Sequence, residues 1–121
     1  MHTVEILLSK VHGITVTEAN LQYRGSLTLD MAIMEAAGMM EYQKVLVVNN
    51  DNGERLETYL IKGAKDSGVC CLNGAAAFKG AKGHTLIIMA FGFMDQYIGI
   101  KHKPVRVFIN DKNQIEKKEI Q

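Results

Sequence analysis

This 121-residue chain has little proline, little cysteine and almost no net charge. Its single proline, Pro104, is expected at a strand start, where the missing N–H breaks no ladder. Its two cysteines, Cys70 and Cys71, are adjacent, so they have neither a zinc-ligand spacing nor that of a CxxC redox motif. Neighbouring strand residues point to opposite faces, which argues against a disulfide between them. Both are expected as small, buried strand residues. No metal site is expected. A formal charge of +1 gives no electrostatic pull toward nucleic acid or an anionic membrane. No basic-then-apolar leader opens the chain, and the longest apolar stretch, residues 86–94, is too short to span a bilayer. These absences point to a cytoplasmic protein with neither nucleic-acid nor membrane partners.

No linker or long internal repeat interrupts the chain, so residues 1–121 read as one domain. Hydrophobic residues make up 47%, enough for a real core. A domain of this size still buries a limited share of its surface, so partner subunits would help. Most apolar segments are short and β-branched. Strands are expected at 4–8, 14–17, 27–29, 45–48, 54–61, 69–72, 85–91 and 105–109. Asp51-Asn52-Gly53 and Asp111-Lys112-Asn113 read as turns. Asp30 is a candidate N-cap for one helix of about three turns, ending near Met40, with Met31, Met34 and Ala37 on its packed face. Many short strands with one helix predict a mainly β barrel.

Taken alone, Gly25-Ser26 is an ordinary turn pair. Its setting, Tyr23-Arg24-Gly25-Ser26 between two expected strands, puts it in a tight connection. There glycine admits backbone geometry that other residues resist. A strained peptide bond beside a hydroxyl is what an N-to-O acyl shift needs. On the strand from Arg55 to Tyr59, period-two alternation puts Arg55, Glu57 and Tyr59 on one face and Thr58 on the other. Arg55 can bind a carboxylate with its fork, and Tyr59 can give a proton. Lys10 and His12 share a face of their segment. In Asn73-Gly74-Ala75-Ala76-Ala77, small side chains leave backbone N–H groups open to a ligand.

Four segments occur together and in order: Ser9-Lys10-Val11-His12, 20–26 (Asn-Leu-Gln-Tyr-Arg-Gly-Ser), 52–59 (Asn-Gly-Glu-Arg-Leu-Glu-Thr-Tyr) and 73–77. Each is weak alone. Jointly they resemble the pyruvoyl-dependent aspartate 1-decarboxylase family, over nearly the whole chain. The resemblance implies a double-psi β-barrel with one short helix and small peripheral elements. It further implies a homotetramer with active sites between subunits, and a precursor that cuts itself between Gly25 and Ser26 into chains 1–25 and 26–121. Ser26 would become a pyruvoyl cofactor that forms a Schiff base with L-aspartate, giving β-alanine and carbon dioxide for pantothenate synthesis. Lys10 and Arg55 resemble the family's carboxylate binders, and Tyr59 its proton donor. His12 and Tyr23 match pocket residues. Thr58 matches the residue that assists cleavage at Gly25-Ser26, Asn73 matches a residue near that cleavage site, and the Gly74-Ala75-Ala76 backbone matches a binding surface.

Three positions depart from the family pattern. Gly13 stands where arginine is expected, Phe78 where histidine is common and His84 where aspartate is usual. None removes a named chemical group. Two other readings stay open: a related pyruvoyl decarboxylase for another small amino acid, and an uncleaved barrel serving as a binding or assembly module. The need for a maturation factor also stays open.

Overall fold

The computed structural model describes residues 2–121. In chain order the elements are β1 (Thr3–Thr15), β2 (Glu18–Asn20), β3 (Ser26–Asp30), α1 (Met31–Ala37), β4 (Lys44–Asn49) and β5 (Arg55–Gly63). They continue with β6 (Cys70–Asn73), a 3-10 turn (Gly74–Lys79), β7 (Thr85–Asp95), α2 (Gln96–Gly99), β8 (Val105–Ile109) and β9 (Ile115–Ile120). Strand neighbours follow the order β2-β6-β3-β5-β4-β7-β1-β8-β9. Three pairings are parallel (β1 with β8, β2 with β6, β3 with β5), and the others are antiparallel. The fold is mainly β, with the interleaved parallel and antiparallel pairings of a double-psi β-barrel. Among the described residues its helical content is three short pieces rather than the one expected.

One core joins the central strands. Val11, Leu27, Val47, Leu60, Leu72 and Ile88 are wholly buried and come from β1, β3, β4, β5, β6 and β7. Each such side chain contributes about 1.5–3 kcal/mol on leaving water. The cysteines lie in this layer as expected. Both are buried and unpaired, and burial pushes the Cys70 thiol up to about 12.

β1 runs through what read as two separate strands. Ser9 and Val11 point inward at odd positions, and Ile14 and Val16 at even ones. The change of phase falls on a register shift between His12 and Ile14, where Gly13 takes φ 88°. A β-bulge accounts for both the shift and the broken alternation. The departure at Gly13 therefore falls where glycine is conformationally at ease.

α1 begins as expected and stops early. Asp30 accepts the Ala32 N–H at 2.8 Å. Gly38 then turns left-handed (φ 70°) and Met39 N–H bonds back to the Met34 carbonyl at 2.9 Å, so the helix ends at Ala37 instead of near Met40. β9 was missed because its Glu-Lys-Lys-Glu centre has no apolar face. It is an edge strand, paired only to β8, and its charges suit that place.

Asp30 ties three parts of the fold together. It is 2% exposed, and beyond the helix cap its carboxylate accepts the Asp66 N–H at 2.8 Å and the Gly68 N–H at 2.9 Å. Asp30→Ala removes the acceptor of three part-buried hydrogen bonds, so it should destabilise the fold by about 2–4 kcal/mol. Urea unfolding monitored by circular dichroism measures this. A loss below about 1 kcal/mol would show that water replaces the carboxylate.

Candidate functional site

β3 and β6 run antiparallel with Ser26 opposite Asn73. Both side chains are buried, at 3% and 5% exposure. The Asn73 amide Nδ2 donates to Ser26 Oγ at 3.1 Å and to Thr28 Oγ1 at 2.8 Å. The Cys71 thiol donates to Asn73 Oδ1 at 3.0 Å. A serine hydroxyl is thus held at the first residue of a strand, beside the Gly25 carbonyl that precedes it. The loop before it is open: Tyr23, Arg24 and Gly25 are exposed.

The glycine demanded here is not Gly25. Its φ is outside the left-handed range, and a Cβ on it would meet only the Asn73 carbonyl, at an ordinary 3.9 Å. Ser26 itself takes a positive φ of 157°, which non-glycine residues rarely adopt. The constraint falls on Gly74. It takes φ 60°, and a Cβ there would lie 2.7 Å from both the Tyr23 carbonyl oxygen and the Gly25 nitrogen. Gly74 lets the 3-10 turn press on the 23–25 loop from the side of β6. In that turn Gly74 and Ala76 are buried and Ala75 is exposed.

Tyr59 belongs to the same neighbourhood. The β3–β5 pairing opens at Leu27 with Leu60, so Ser26 and Tyr59 are the residues just before the first pair. Tyr59 is 41% exposed and its ring lies 6.4 Å from that of Tyr42. The alternation read from β5 holds: Arg55, Glu57 and Tyr59 are exposed, and Thr58 is half-buried on the other face. Glu57 pairs with Lys44 at 2.6 Å, an exposed bridge of little energetic weight. Among the described residues, no hydrogen bond joins Thr58 to Ser26 or Asn73. Thr28 makes that contact, a residue the sequence reading missed although it lies two positions along the strand from Ser26.

Lys10 and His12 are not beside Ser26 along the sheet. They lie on β1, and β5, β4 and β7 intervene between it and β3. Lys10 is flanked by Met89 on β7 and Arg106 on β8. His12 lies 5.7 Å from the Phe108 ring, and its Nδ1 has no partner among the described residues. Burial first, then the Lys10 charge, hold the His12 imidazole below its ordinary range, which favours the neutral ring.

The remaining departures have clear positions. Phe78 is exposed. His84 closes a small network. Its Nδ1 accepts the Ala81 N–H at 3.1 Å and lies 3.1 Å from Asn49 Nδ2. Asn49 and Asn52 both donate to the Lys79 carbonyl, at 3.0 and 3.1 Å. That network ties the end of the 3-10 turn to the hairpin leading into Arg55. Among the described residues no group of three or more His, Cys, Asp or Glu could hold a metal ion, and no helix is long and apolar enough to cross a membrane.

The sequence profile of aspartate decarboxylases matches residues 1–116. The chain belongs to the aspartate decarboxylase family. It is 54% identical to an aspartate 1-decarboxylase of Caldicellulosiruptor bescii over 112 residues, which cover 93% of this chain and 88% of that one. It is 51% identical to an aspartate 1-decarboxylase of Ruminiclostridium cellulolyticum over 115 residues, 95% of this chain and 90% of the relative. A third of that name, from Bacillus pumilus, is 52% identical over 110 residues, 91% and 87% of the two chains. Against this family background, Gly13, Phe78 and His84 sit on a bulge, an exposed turn and a loop tie, and among the described residues none of them makes a side-chain hydrogen bond to Ser26 or Asn73.

Gly74 yields a prediction about the clamp on the loop. Gly74→Ala adds a methyl group against fixed backbone at a left-handed φ. It should cost about 1–3 kcal/mol and loosen residues 23–25. The comparison is made in a Ser26→Ala background, where the chain cannot be cut at that hydroxyl. An unchanged urea midpoint, with no new protease sensitivity in the loop, would show that the loop yields freely.

Proposed function

We propose that this chain is an aspartate 1-decarboxylase that converts L-aspartate to β-alanine and carbon dioxide, the former for pantothenate synthesis, after cutting itself between Gly25 and Ser26. The observation that carries the cleavage is the buried Ser26 hydroxyl, held by Asn73 next to a loop clamped by Gly74. The Ser26 oxygen bonds to the Gly25 carbonyl carbon, and the C–N bond between the two residues breaks. The freed nitrogen takes the hydroxyl proton, and an ester replaces the amide. Loss of the Ser26 Cα proton and of the Gly25 carboxylate then leaves dehydroalanine. Its enamine tautomerises, and water releases ammonia to leave a pyruvoyl group at residue 26. The surroundings fit such a group: a buried strand start, one preorganised N–H donor and a glycine-walled turn. Once formed, the pyruvoyl ketone supplies an electron sink for the departing carboxylate's electrons.

The chain's other residues bind, orient and protonate. Arg55 is the better anchor for the substrate's side-chain carboxylate, because a guanidinium stays charged and binds in fixed geometry. A strong cation at the departing α-carboxylate would stabilise the ground state against release of neutral carbon dioxide. Tyr59, adjacent to Ser26 across β3 and β5, delivers a proton to the substrate α-carbon. Tyr23 and the Gly74-Ala75-Ala76 backbone line the pocket, and Thr58 supports cleavage from the other face of β5. Lys10 and His12 complete the site from another subunit of a homotetramer. The separation of β1 from β3 supports this division, as do Tyr42, Phe93 and Met40, which are 70%, 75% and 69% exposed. A concavity lined by Glu5, Lys44, Leu46, Glu57, Phe91 and Phe93 lies on that outer surface.

The wild-type chain, warmed with any helper protein it requires, should split into residues 1–25 and a pyruvoyl-started 26–121. Ser26→Ala should stay whole. Intact mass reads both outcomes, and a wild type that never splits refutes the cleavage reading in favour of an uncleaved module.

With protein already carrying pyruvoyl, Tyr59→Phe should keep its aspartate affinity and lose about 10²–10⁴-fold in turnover. Arg55→Ala should weaken aspartate binding by about 2–5 kcal/mol if the ion pair is desolvated between subunits. β-Alanine made at the wild-type rate by Tyr59→Phe would assign the proton to water or another group. Normal affinity in Arg55→Ala would move the anchor to Lys10. A panel of small amino acids in the same assay tests whether aspartate is the preferred substrate.

A further inference from the structure

The Asn73 side chain contacts three groups, Ser26 Oγ, Thr28 Oγ1 and Cys71 Sγ. An amide turned by 180° would occupy the same space and present its oxygen to the two hydroxyls. The hydroxyls do not choose between these orientations, because each can donate or accept. The thiol favours one of them: S–H is a weak donor and sulfur a weak acceptor, and here the Cys71 thiol donates to Asn73 Oδ1 at 3.0 Å. The thiol also keeps its proton. Burial first, then the charge of the Glu18 carboxylate and hydrogen bonding to it, push Cys71 above the ordinary thiol range, and the donor contact resolved for the thiol is the one to Asn73 Oδ1. The strand register makes the arrangement specific, since Cys71 is opposite Thr28 on β3 and opposite Glu18 on β2.

The orientation matters for one chemical step. In the acyl shift, Oγ becomes the bridging oxygen of an ester. In the elimination, the Ser26 Cα proton passes to water, the Cβ–Oγ bond breaks, and its electron pair leaves on Oγ as the Gly25 carboxylate. An N–H facing Oγ stabilises that developing charge, whereas an amide oxygen there would repel it.

We infer that Cys71 is a positioning residue for self-cleavage: its S–H fixes the Asn73 amide with the N–H toward Ser26 Oγ, which speeds elimination of the ester. The inference rests on the self-cleavage reading. The N-to-O shift leaves the mass unchanged, so a chain stalled at the ester weighs the same as the precursor. Hydroxylamine separates the two states, since it cuts esters and spares amides.

The experiment follows freshly isolated full-length wild type, Cys71→Val, Cys71→Ala, Cys71→Ser and Cys70→Ala by intact mass during warm incubation. Each is sampled with and without hydroxylamine, and a melting curve confirms that it is folded. Cys71→Val and Cys71→Ala should form the pyruvoyl chain about 10- to 100-fold more slowly, and a larger share of their uncut protein should be cleaved by hydroxylamine after residue 25. Cys71→Ser restores a donor and should restore the rate, and Cys70→Ala should match wild type. Wild-type processing by folded Cys71→Val overturns the inference and leaves the cleavage reading intact. Slow processing with no hydroxylamine-sensitive ester and no rescue by serine also overturns it, since that pattern belongs to packing alone. A wild type that never yields the pyruvoyl chain overturns the cleavage reading itself.

Discussion

The pairing of Ser26 with Asn73 across β3 and β6 is the constraint on which the site depends. A slip of one residue would turn every side chain of β3 to the other face and leave the Asn73 amide without its hydroxyls. The hydrogen bond cannot hold this register by itself, since a typical one contributes about 1 kcal/mol net. The apolar layer can. Leu27 sits opposite Leu72 in the next pair, and Leu27, Leu29, Leu60 and Leu72 are all wholly buried. At about 1.5–3 kcal/mol each, those four side chains outweigh the polar contact several-fold. Asp30 sets the far end of β3 by gripping the loop before β6, and Gly74 sets the near end by close contact with residues 23–25. The polar site is held in place by core packing.

Much of this was readable before the fold was known, wherever the pattern was local. Period two put Arg55, Glu57 and Tyr59 on one face, and an N-cap residue started α1. The ordered segments around Lys10, Ser26, Arg55 and Asn73 pointed to the family. Local pattern failed where a second strand decides the outcome. The glycine requirement was assigned to Gly25, next to the scissile bond. It belongs to Gly74, far away in sequence and pressed on the same loop. Thr28 and Cys71 looked like ordinary strand residues, because their contacts to Asn73 exist only once β3 and β6 pair. The bulge at Gly13 split one strand into two apparent ones for a related reason: alternation marks one face of a strand, and a bulge breaks it.

The distribution of burial separates two chemical tasks. Self-cleavage needs one hydroxyl held still, and the groups that hold it (Asn73, Thr28, Cys71) are buried or half-buried within a single chain. Substrate binding needs access, and the residues proposed for it, Arg55, Tyr59 and Tyr23, are exposed. That exposure has a cost. A guanidinium facing bulk water holds a carboxylate weakly, because the charges interact through a high dielectric and both ions are already hydrated. The same pair counts for several kcal/mol only when water is excluded around it. In one copy of the chain nothing performs that exclusion: the neighbours of Tyr59 on the outer surface include the largely exposed Tyr42, and Lys10 and His12 are three strands away. A second copy laid over this face would bury those aromatics and dry the space around Arg55. In the proposed homotetramer it would also bring a β1 with its Lys10 and His12 to the first copy's Ser26. In the proposed function, oligomerisation is a condition for substrate recognition, whereas the hydrogen bonds that hold Ser26 need only the fold of one chain.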